Sequence, residues 1–593
     1  MKRLILGLLL SLTVSVFAGV DKLSAEYRNG QVFLRWNESG LTKKNRLSVW
    51  SSAAPITLEN IASAERCARY LNANSAVDWW LDLNSFFNKK KSKAQKSEEI
   101  FAGNVAETQT KKTMLRGFVI EDDGKPITPD GGLHVHTPKA SQQGKRYYAV
   151  TTHDGVSDKI TGFTATTSPI EVGPGKAYPI RLNGKVTKNS AKGMPIVIKL
   201  HGRGGGSGID KQGKSVGSHI LFSDDDFAWR EGIPFKFTAE IRNNVLILTM
   251  RDRVWIGRKL TRSESRDSRD YVPAIASFWL GYNVNIAVSN KGPEFIWDNY
   301  TERMILYVAR WAQEYLGGDK NRTYVTGGSM GGTGTVQLVT HFPEFFAAGV
   351  ANVPVYSFSW KHEKSSPNSI WRMTCSIGPF TKKNPARFKD GTLLEVYADG
   401  ARNVGRPEID MPPLFATNGR QDASIPWINN PPFYKAANDA RQMFSVYWNN
   451  GPHNMSRMAP KDFIDNSDMF RFKLNESFPA FSNSSDNRNY GNGNHKDGDL
   501  EGWINRGFNW KDIVDTPERY SITLSVNYPG IKYPVTADVT IRRRQNFKFA
   551  PGTRLKVSVN GRESTVVIDK NGLLTVEKVL FPDDKAIQVI FSK

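Results

Sequence analysis

Cysteine is nearly absent from this chain: Cys67 and Cys375 are the only two in 593 residues. That scarcity excludes a disulfide-stapled scaffold and a cysteine-based zinc module, so stability must come mainly from burial. The two cysteines fall in different expected domains, and sequence alone leaves their pairing open. Histidine is scarce too, with nine in all. Only His134-Val135-His136 sets two side by side on one strand face, without a third ligand nearby. No metal or other cofactor is therefore expected. The Asp/Asn/Gly stretch from Asp486 to His495 lacks the spacing of a calcium-binding EF-hand loop. Acidic residues are outnumbered, 58 Asp plus Glu against 80 Lys plus Arg, for a formal charge of +22. After the first residues no apolar run approaches the ~20 residues that cross a bilayer, so no membrane span is expected.

The first residues read as a targeting segment. Met1-Lys2-Arg3 is basic, Leu4 to Val16 is apolar, and Val16-Phe17-Ala18 fits a small-residue cleavage site. Residues 1–18 are thus an expected signal peptide, and the mature chain is expected to be exported, periplasmic or extracellular. Part of the positive charge is clustered at Lys89-Lys90-Lys91-Ser92-Lys93, at Arg251 to Arg262 and at Arg542-Arg543-Arg544. Such clusters attract polyanions, an acidic polysaccharide among them, although a plain solvated basic surface explains them equally. Nucleic acid is not expected as a partner, because no recognition motif accompanies the charge.

Against this background one stretch stands out, Val325-Thr326-Gly327-Gly328-Ser329-Met330-Gly331-Gly332. A β-prone segment, Thr323 to Val325, enters Gly-x-Ser-x-Gly, and a helix-like segment, Thr335 to Thr340, follows. A turn this tight leaves no room for side chains at Gly327 and Gly331. It holds a serine hydroxyl at a helix N-terminus, where the dipole favours developing negative charge. Alone the pattern is weak, since glycine and serine are common.

Three further stretches reinforce it. Pro195 to Leu200 reads as a buried parallel strand ending in His201-Gly202-Arg203-Gly204-Gly205-Gly206, a loop suited to donating backbone N–H groups to an oxyanion. Arg203, Gly204 and Met330 are the candidate donors. The alternative for that loop is a flexible or phosphate-cradling segment, but it lacks the Gly-Lys-Ser/Thr ending of a P-loop. Pro413 to Gly419 reads as another buried strand with Asp422 just past its end, where α/β sheets place catalytic groups. Asp399, after the strand-like Leu394 to Tyr397, is the rival acid. Met443 to Trp448 reads as the last core strand, and His453 lies in the loop after it. The order Ser329, Asp422, His453 is that of a nucleophile, an orienting acid and a general base.

Residues 180 to 475 resemble an α/β-hydrolase serine esterase. The elbow, the His-Gly-Arg-Gly-Gly-Gly loop and Pro426-Trp427 after Asp422 are similar to the group that contains polyhydroxybutyrate depolymerases, feruloyl esterases and acetylxylan esterases. The resemblance implies a mostly parallel, doubly wound sheet and hydrolysis of a carboxylic ester, of a plant polymer, a polyester or a small molecule, through an acyl-enzyme. Arg203 stands where many relatives carry glycine. Trp427, Trp360 and Trp371 are candidate substrate contacts, because tryptophan stacks on sugars and aromatic acids, although each could equally be core.

The flanks read as all-β. Residues 19–170 resemble a fibronectin type III sandwich, with Gln31 to Trp36 as an early strand, Arg146 to Thr151 as a late one, and a helical insertion over Leu58 to Phe87. Pro169 to Lys176 reads as a linker, 177–475 as the catalytic domain, 476–515 as a polar connector, and 516–593 as a second small sandwich with Asn560-Gly561 and Asn571-Gly572 turns. Two other functions compete with the esterase. A serine peptidase of prolyl-oligopeptidase type shares the triad order but usually adds a large propeller upstream. A non-catalytic surface-binding protein could keep the fold.

Overall fold

Short aliphatic runs bounded by glycine or proline become the strands, as expected where both faces of a parallel sheet are covered. The computed structural model describes residues 19–593 apart from 29–30, 43, 77–80, 83–114, 117–130, 137, 139, 155–158, 174–181, 184–192, 204–236, 251, 253, 256–263, 265–273, 284–294, 316, 359–369, 389 and 454–457. The expected signal peptide, the Lys89 to Lys96 cluster, the clustered arginines and lysine between 251 and 262, Gly204 and Trp360 lie outside the described residues. The chain divides into two units, 1–84 with 111–179, and 85–110 with 180–593.

The first unit is β-rich. Gly19–Arg28, Gln31–Ser39 and Gly132–His136 form one antiparallel sheet in that order. Ile170–Val172, Gly144–Asp154, Asn45–Ser52 and Glu65–Asn72 form a second, with Ile160–Ala165 also paired to Gly144–Asp154. Val32, Leu34, Trp36, Leu47, Val49 and Tyr148 are among the residues of its buried core. Two expectations are corrected here. The helical insertion is in part a strand: Glu65–Asn72 pairs with Asn45–Ser52, setting Ala68 opposite Val49. Ladder hydrogen bonds and cross-strand packing override a helix-like spacing of Ala, Leu and Tyr. The expected linker also begins late, since Ile170–Val172 still pairs with the strand at Gly144. Of the histidine pair, His136 Nε2 lies 2.9 Å from Gln142 Oε1. Among the described residues no cluster of three or more His, Cys, Asp and Glu could hold a metal ion.

The second unit is built on a nine-stranded sheet. Its strands are β1 (Leu182–Asn183), β2 (Met194–Leu200), β3 (Phe237–Arg242), β4 (Val245–Met250), β5 (Gly318–Gly328), β6 (Ala348–Asn352), β7 (Leu414–Gly419), β8 (Phe444–Asn449) and β9 (Gly502–Ile504). Their spatial order is β1-β3-β4-β2-β5-β6-β7-β8-β9. The run from β4 to β8 is parallel throughout, while β3 and β9 are antiparallel to their neighbours β4 and β8. Strand order reverses around β2, a switch point that opens a crevice at the strands' carboxyl ends. Helices α1 (Tyr300–Tyr315), α2 (Met330–His341) and α3 (Asn430–Asp439) lead into β5, leave β5 and lead into β8. A further correction concerns Leu394–Tyr397, which is one helical turn and not a strand.

The C-terminal strands belong to this same unit. Phe478–Ser482, Val535–Arg542 and Leu574–Phe581 form one antiparallel sheet. Phe508–Asp515, Arg519–Val526, Ile587–Ser592, Arg554–Val559 and Arg562–Val567 form another. Their buried residues make one cluster with Val197, Tyr324, Ala348 and Phe415 of β2, β5, β6 and β7. Side chains alternate along a strand, so this face, farther along, presents Lys199, Thr326, Asn352 and Thr417. The arginines 542–544 are not a surface patch, because Arg542 and Arg543 are buried. Arg542 donates to Pro407 O (2.9 Å) and Gln442 Oε1 (3.0 Å), and its Nε lies 2.9 Å from Asp410 Oδ1. Arg543 donates to Lys473 O (3.1 Å), and Arg544 to Phe547 O (3.1 Å). They satisfy backbone carbonyls where the C-terminal strands meet the large sheet, which a charge count cannot reveal.

Candidate active site

Ser329 sits at a sharp bend between a strand and a helix. The strand β5 ends at Gly328, the helix α2 begins at Met330, and between them Ser329 has φ 58° and ψ −119°. A non-glycine residue held there costs on the order of 1–3 kcal/mol and persists only when its surroundings over-determine it. The bend is enforced by close contact. A Cβ on Gly331 would lie 2.1 Å from Leu200 O, and one on Gly327 would lie 2.4 Å from Gly331 C. Ser329 N–H donates to Asn352 O at 2.8 Å, which ties the elbow to the end of β6. The N–H of Met330 opens α2 and has no acceptor four residues back, as at any helix start.

Asp422 and His453 meet. His453 Nδ1–H donates to Asp422 Oδ2 at 2.6 Å. The acid is 4 % exposed, and its other oxygen accepts the N–H groups of Ser424 and Ile425, both at 2.8 Å. The carboxylate is therefore oriented before the histidine reaches it. Because a carboxylate only accepts, the imidazole proton sits on Nδ1 and Nε2 is the basic nitrogen. Ser329 and His453 line one cavity of ≈ 820 Å³, with Gly202, Asn352, Phe415 and Phe463 also on its wall. Thr417 Oγ1 donates to Asn352 Oδ1 at 3.0 Å, fixing that amide beside the elbow.

The loop after β2 packs directly on the elbow. A Cβ on Gly202 would lie 3.2 Å from Gly328 O and 3.5 Å from Ser329 Cβ. His201 is not a base here: its Nε2 accepts the Asp252 N–H at 2.9 Å, so its Nδ1 donates to Gly202 O at 2.7 Å. Arg203 places its guanidinium 5.1 Å from the centroid of the Phe278 ring. Sequence reasoning missed this support under the loop and also missed Asn352. A polar residue ending the strand after the elbow was the available signal for Asn352.

The rival acid has another task. Asp399 accepts from Ala401 N–H (3.1 Å) and Arg402 N–H (3.3 Å), capping a helical turn, and accepts the Ser357 hydroxyl at 2.8 Å. A second histidine–carboxylate pair, His341 Nδ1 to Glu302 Oε1 at 2.6 Å, is buried, with its other nitrogen 2.9 Å from Tyr397 O. Both of its ring nitrogens face acceptors, and neither residue lines the cavity.

Of the three candidate tryptophans, Trp427 alone has a described side chain. Trp427 is 2 % exposed, donates its indole N–H to Tyr490 O at 3.0 Å, and packs against Trp448 and under Arg420. It is core beneath the acid-bearing loop and not a substrate contact. Trp371 lies in the helical turn Ile370–Met373, whose fold the structure describes without that side chain. The Asp/Asn/Gly loop wraps a cation the chain itself supplies: Arg420 donates to the carbonyls of Asn494 (3.2 Å), His495 (3.1 Å) and Asp499 (3.0 Å). Under β7, Tyr356 and Tyr434 both donate to Asn418 Oδ1 at 2.9 Å. Desolvation holds both phenols well above their ordinary range. Cys375 is a buried thiol with Sγ 3.1 Å from Arg372 O, and Cys67 is a thiol of the other unit.

A parallel sheet with a strained Gly-x-Ser-x-Gly turn, followed in order by an acid after β7 and a histidine after β8, decides the architecture. This is an α/β-hydrolase fold. Within it, residues 297–451 match the prolyl oligopeptidase family. No curated protein matches the chain. Among solved structures, it is similar to dipeptidyl peptidase 4 of Porphyromonas gingivalis (14 % identity, TM-score 0.28), over 45 % of this chain and 29 % of that one. A putative dienelactone hydrolase of Klebsiella pneumoniae subsp. pneumoniae aligns over 54 % of this chain and 88 % of its own (14 %, TM-score 0.24). An esterase of the archaeon Pyrobaculum calidifontis aligns over 52 % and 73 % (13 %, TM-score 0.24). The chain spans under a third of the length of the peptidase, and at these TM-scores none of the three bears on the chemistry.

Proposed function

We propose that this protein is a serine hydrolase that cleaves carboxylic esters through an acyl-enzyme. One observation carries the reading: an imidazole oriented by a buried carboxylate at 2.6 Å shares a cavity wall with a strained serine at a helix N-terminus. In this reading Ser329 attacks the acyl carbonyl, and His453 takes its proton and passes it to the leaving group. Asp422 holds the imidazole tautomer and stabilises the imidazolium. The N–H groups of Met330 and of the Arg203–Gly204 segment hold the oxyanion, each donor contributing about 3–4 kcal/mol in comparable sites. Water activated by His453 then releases the acid. The finer reading is an exported enzyme acting on a plant-polymer ester or a polyester, with its basic surface drawing it to acidic polysaccharide.

A peptidase is the second reading, favoured by the family match over residues 297–451. The described strands of the first unit form a two-stranded, a three-stranded and a five-stranded sheet, not a series of four-stranded propeller blades. Purified protein assayed on nitrophenyl butyrate and on aminoacyl nitroanilides separates the two. The esterase reading expects faster ester turnover by wild type and a loss of at least ~10³-fold in Ser329→Ala. Faster amide cleavage would favour the peptidase, and equal activity in the variant would reject both.

A further inference from the structure

A buried brace lies under the loop that follows β2, and the chemistry above makes no use of it. Asp252, two residues past β4, is 1 % exposed. Its Oδ1 accepts the N–H and the hydroxyl of Ser277 at 2.9 and 2.6 Å, and its Oδ2 accepts the N–H of Trp279 at 3.1 Å. The turn so held is strained, because Phe278 and Trp279 both have positive φ, 53° and 66°. Two successive bulky residues in that region persist only where neighbours over-determine them. The backbone of Asp252 reaches the other way and donates to His201 Nε2. Trp279 closes the ring by donating its indole N–H to His201 O at 3.2 Å. It also packs on α2, where a Cβ on Gly334 would lie 2.6 Å from its side chain. One carboxylate thus joins the loop after β2, a strained turn and the helix that begins at the nucleophile.

We propose that Asp252 is a positioning residue that aims the Gly202–Arg203 backbone at the oxyanion. The proposal rests on the acyl-transfer reading. Oxyanion donors act over a narrow window, 2.7–3.1 Å from where the charge develops. A loop that carries such a donor needs a rigid floor, and His201 and the Phe278 ring beneath Arg203 supply it only while the turn keeps its shape. In Asp252→Asn one acceptor oxygen becomes an NH₂, which then faces the N–H of Ser277 or of Trp279. The strained turn loses an anchor and the donor drifts. An interaction felt mainly in the transition state lowers kcat while leaving KM nearly unchanged.

The test compares Asp252→Asn, Ser277→Ala and wild type on nitrophenyl butyrate, with circular dichroism for folding and an arylboronate as a transition-state mimic. Val557→Ala, in the C-terminal core, controls for general destabilisation. Asp252→Asn is expected to lose about 10- to 100-fold in kcat with KM within about twofold, and to bind the boronate more weakly in the same ratio. Ser277→Ala is expected to lose about 3- to 10-fold in kcat, and Val557→Ala to keep its kcat. A folded Asp252→Asn with kcat within twofold of wild type overturns the proposal. If that variant does not fold, an unimpaired Ser277→Ala overturns it instead. A wild type that neither hydrolyses the ester nor binds the boronate sinks the acyl-transfer reading and the brace with it. An active wild type with unimpaired variants sinks the brace alone.

Discussion

Replacing Asp422 by asparagine isolates the role of one atom. Oδ1 of the carboxylate accepts two backbone N–H groups, from Ser424 and Ile425, and Oδ2 accepts the His453 Nδ1–H at 2.6 Å. In Asp422→Asn the carbonyl oxygen has to stay with the two N–H groups, since the NH₂ there would oppose two donors. The NH₂ therefore faces His453. Donor against donor is resolved when the imidazole moves its proton to Nε2, which leaves no lone pair for Ser329. The expected loss is about 10⁴-fold in kcat, near 5.4 kcal/mol of transition-state stabilisation, with folding preserved because the backbone bonds survive. Asp422→Ala strands the buried Ile425 N–H as well and is expected to lower stability by about 1–3 kcal/mol. The assay is stopped-flow ester hydrolysis, read as burst amplitude and steady rate beside the thermal midpoint. A folded Asp422→Asn within tenfold of wild type would mean that the 2.6 Å contact does not set the tautomer, and the reasoning would fail.

Gly331→Ala puts a methyl 2.1 Å from Leu200 O, so strand and helix have to separate and carry Ser329 with them. The expected result is at least ~10²-fold lower kcat/KM, checked by ester kinetics on folded protein. Arg542→Ala removes a buried guanidinium that donates to Pro407 O and Gln442 Oε1 and pairs with the partly exposed Asp410. Urea denaturation is expected to register a loss of about 1–3 kcal/mol, with KM unchanged in the remaining folded protein. Attraction to polyanions, if the exposed lysines and arginines provide it, is expected to vanish between low salt and ~1 M; pull-down on acidic polysaccharide checks this.

Much of the catalytic unit could be read from residue order. The strands at 194–200, 414–419 and 444–449 announce themselves as largely apolar or aromatic runs ended by glycine or a polar loop, and the elbow adds a steric demand that glycine alone meets. The acid was ambiguous because Leu394 to Tyr397 is too short for period to separate strand from helix. Its capping aspartate looked like a strand-end aspartate for the same reason. The Arg542 to Arg544 run misled because burial of charge depends on carbonyls from distant segments, at 407 and 473. Trp427 misled because an indole stacks as readily on Arg420 and Trp448 as on a sugar. The brace of His201, Asp252 and Trp279 was invisible, since its members are linked by hydrogen bonds across three loops and carry no local pattern.

The central claim is that Ser329 is made nucleophilic by His453 and Asp422. A fluorophosphonate followed by peptide mass spectrometry tests it most directly. One adduct per chain is expected on the peptide holding Ser329, abolished in Ser329→Ala and slowed at least ~10²-fold in His453→Ala. Absence of an adduct on folded wild type, or equal labelling of the His453 variant, would contradict the claim.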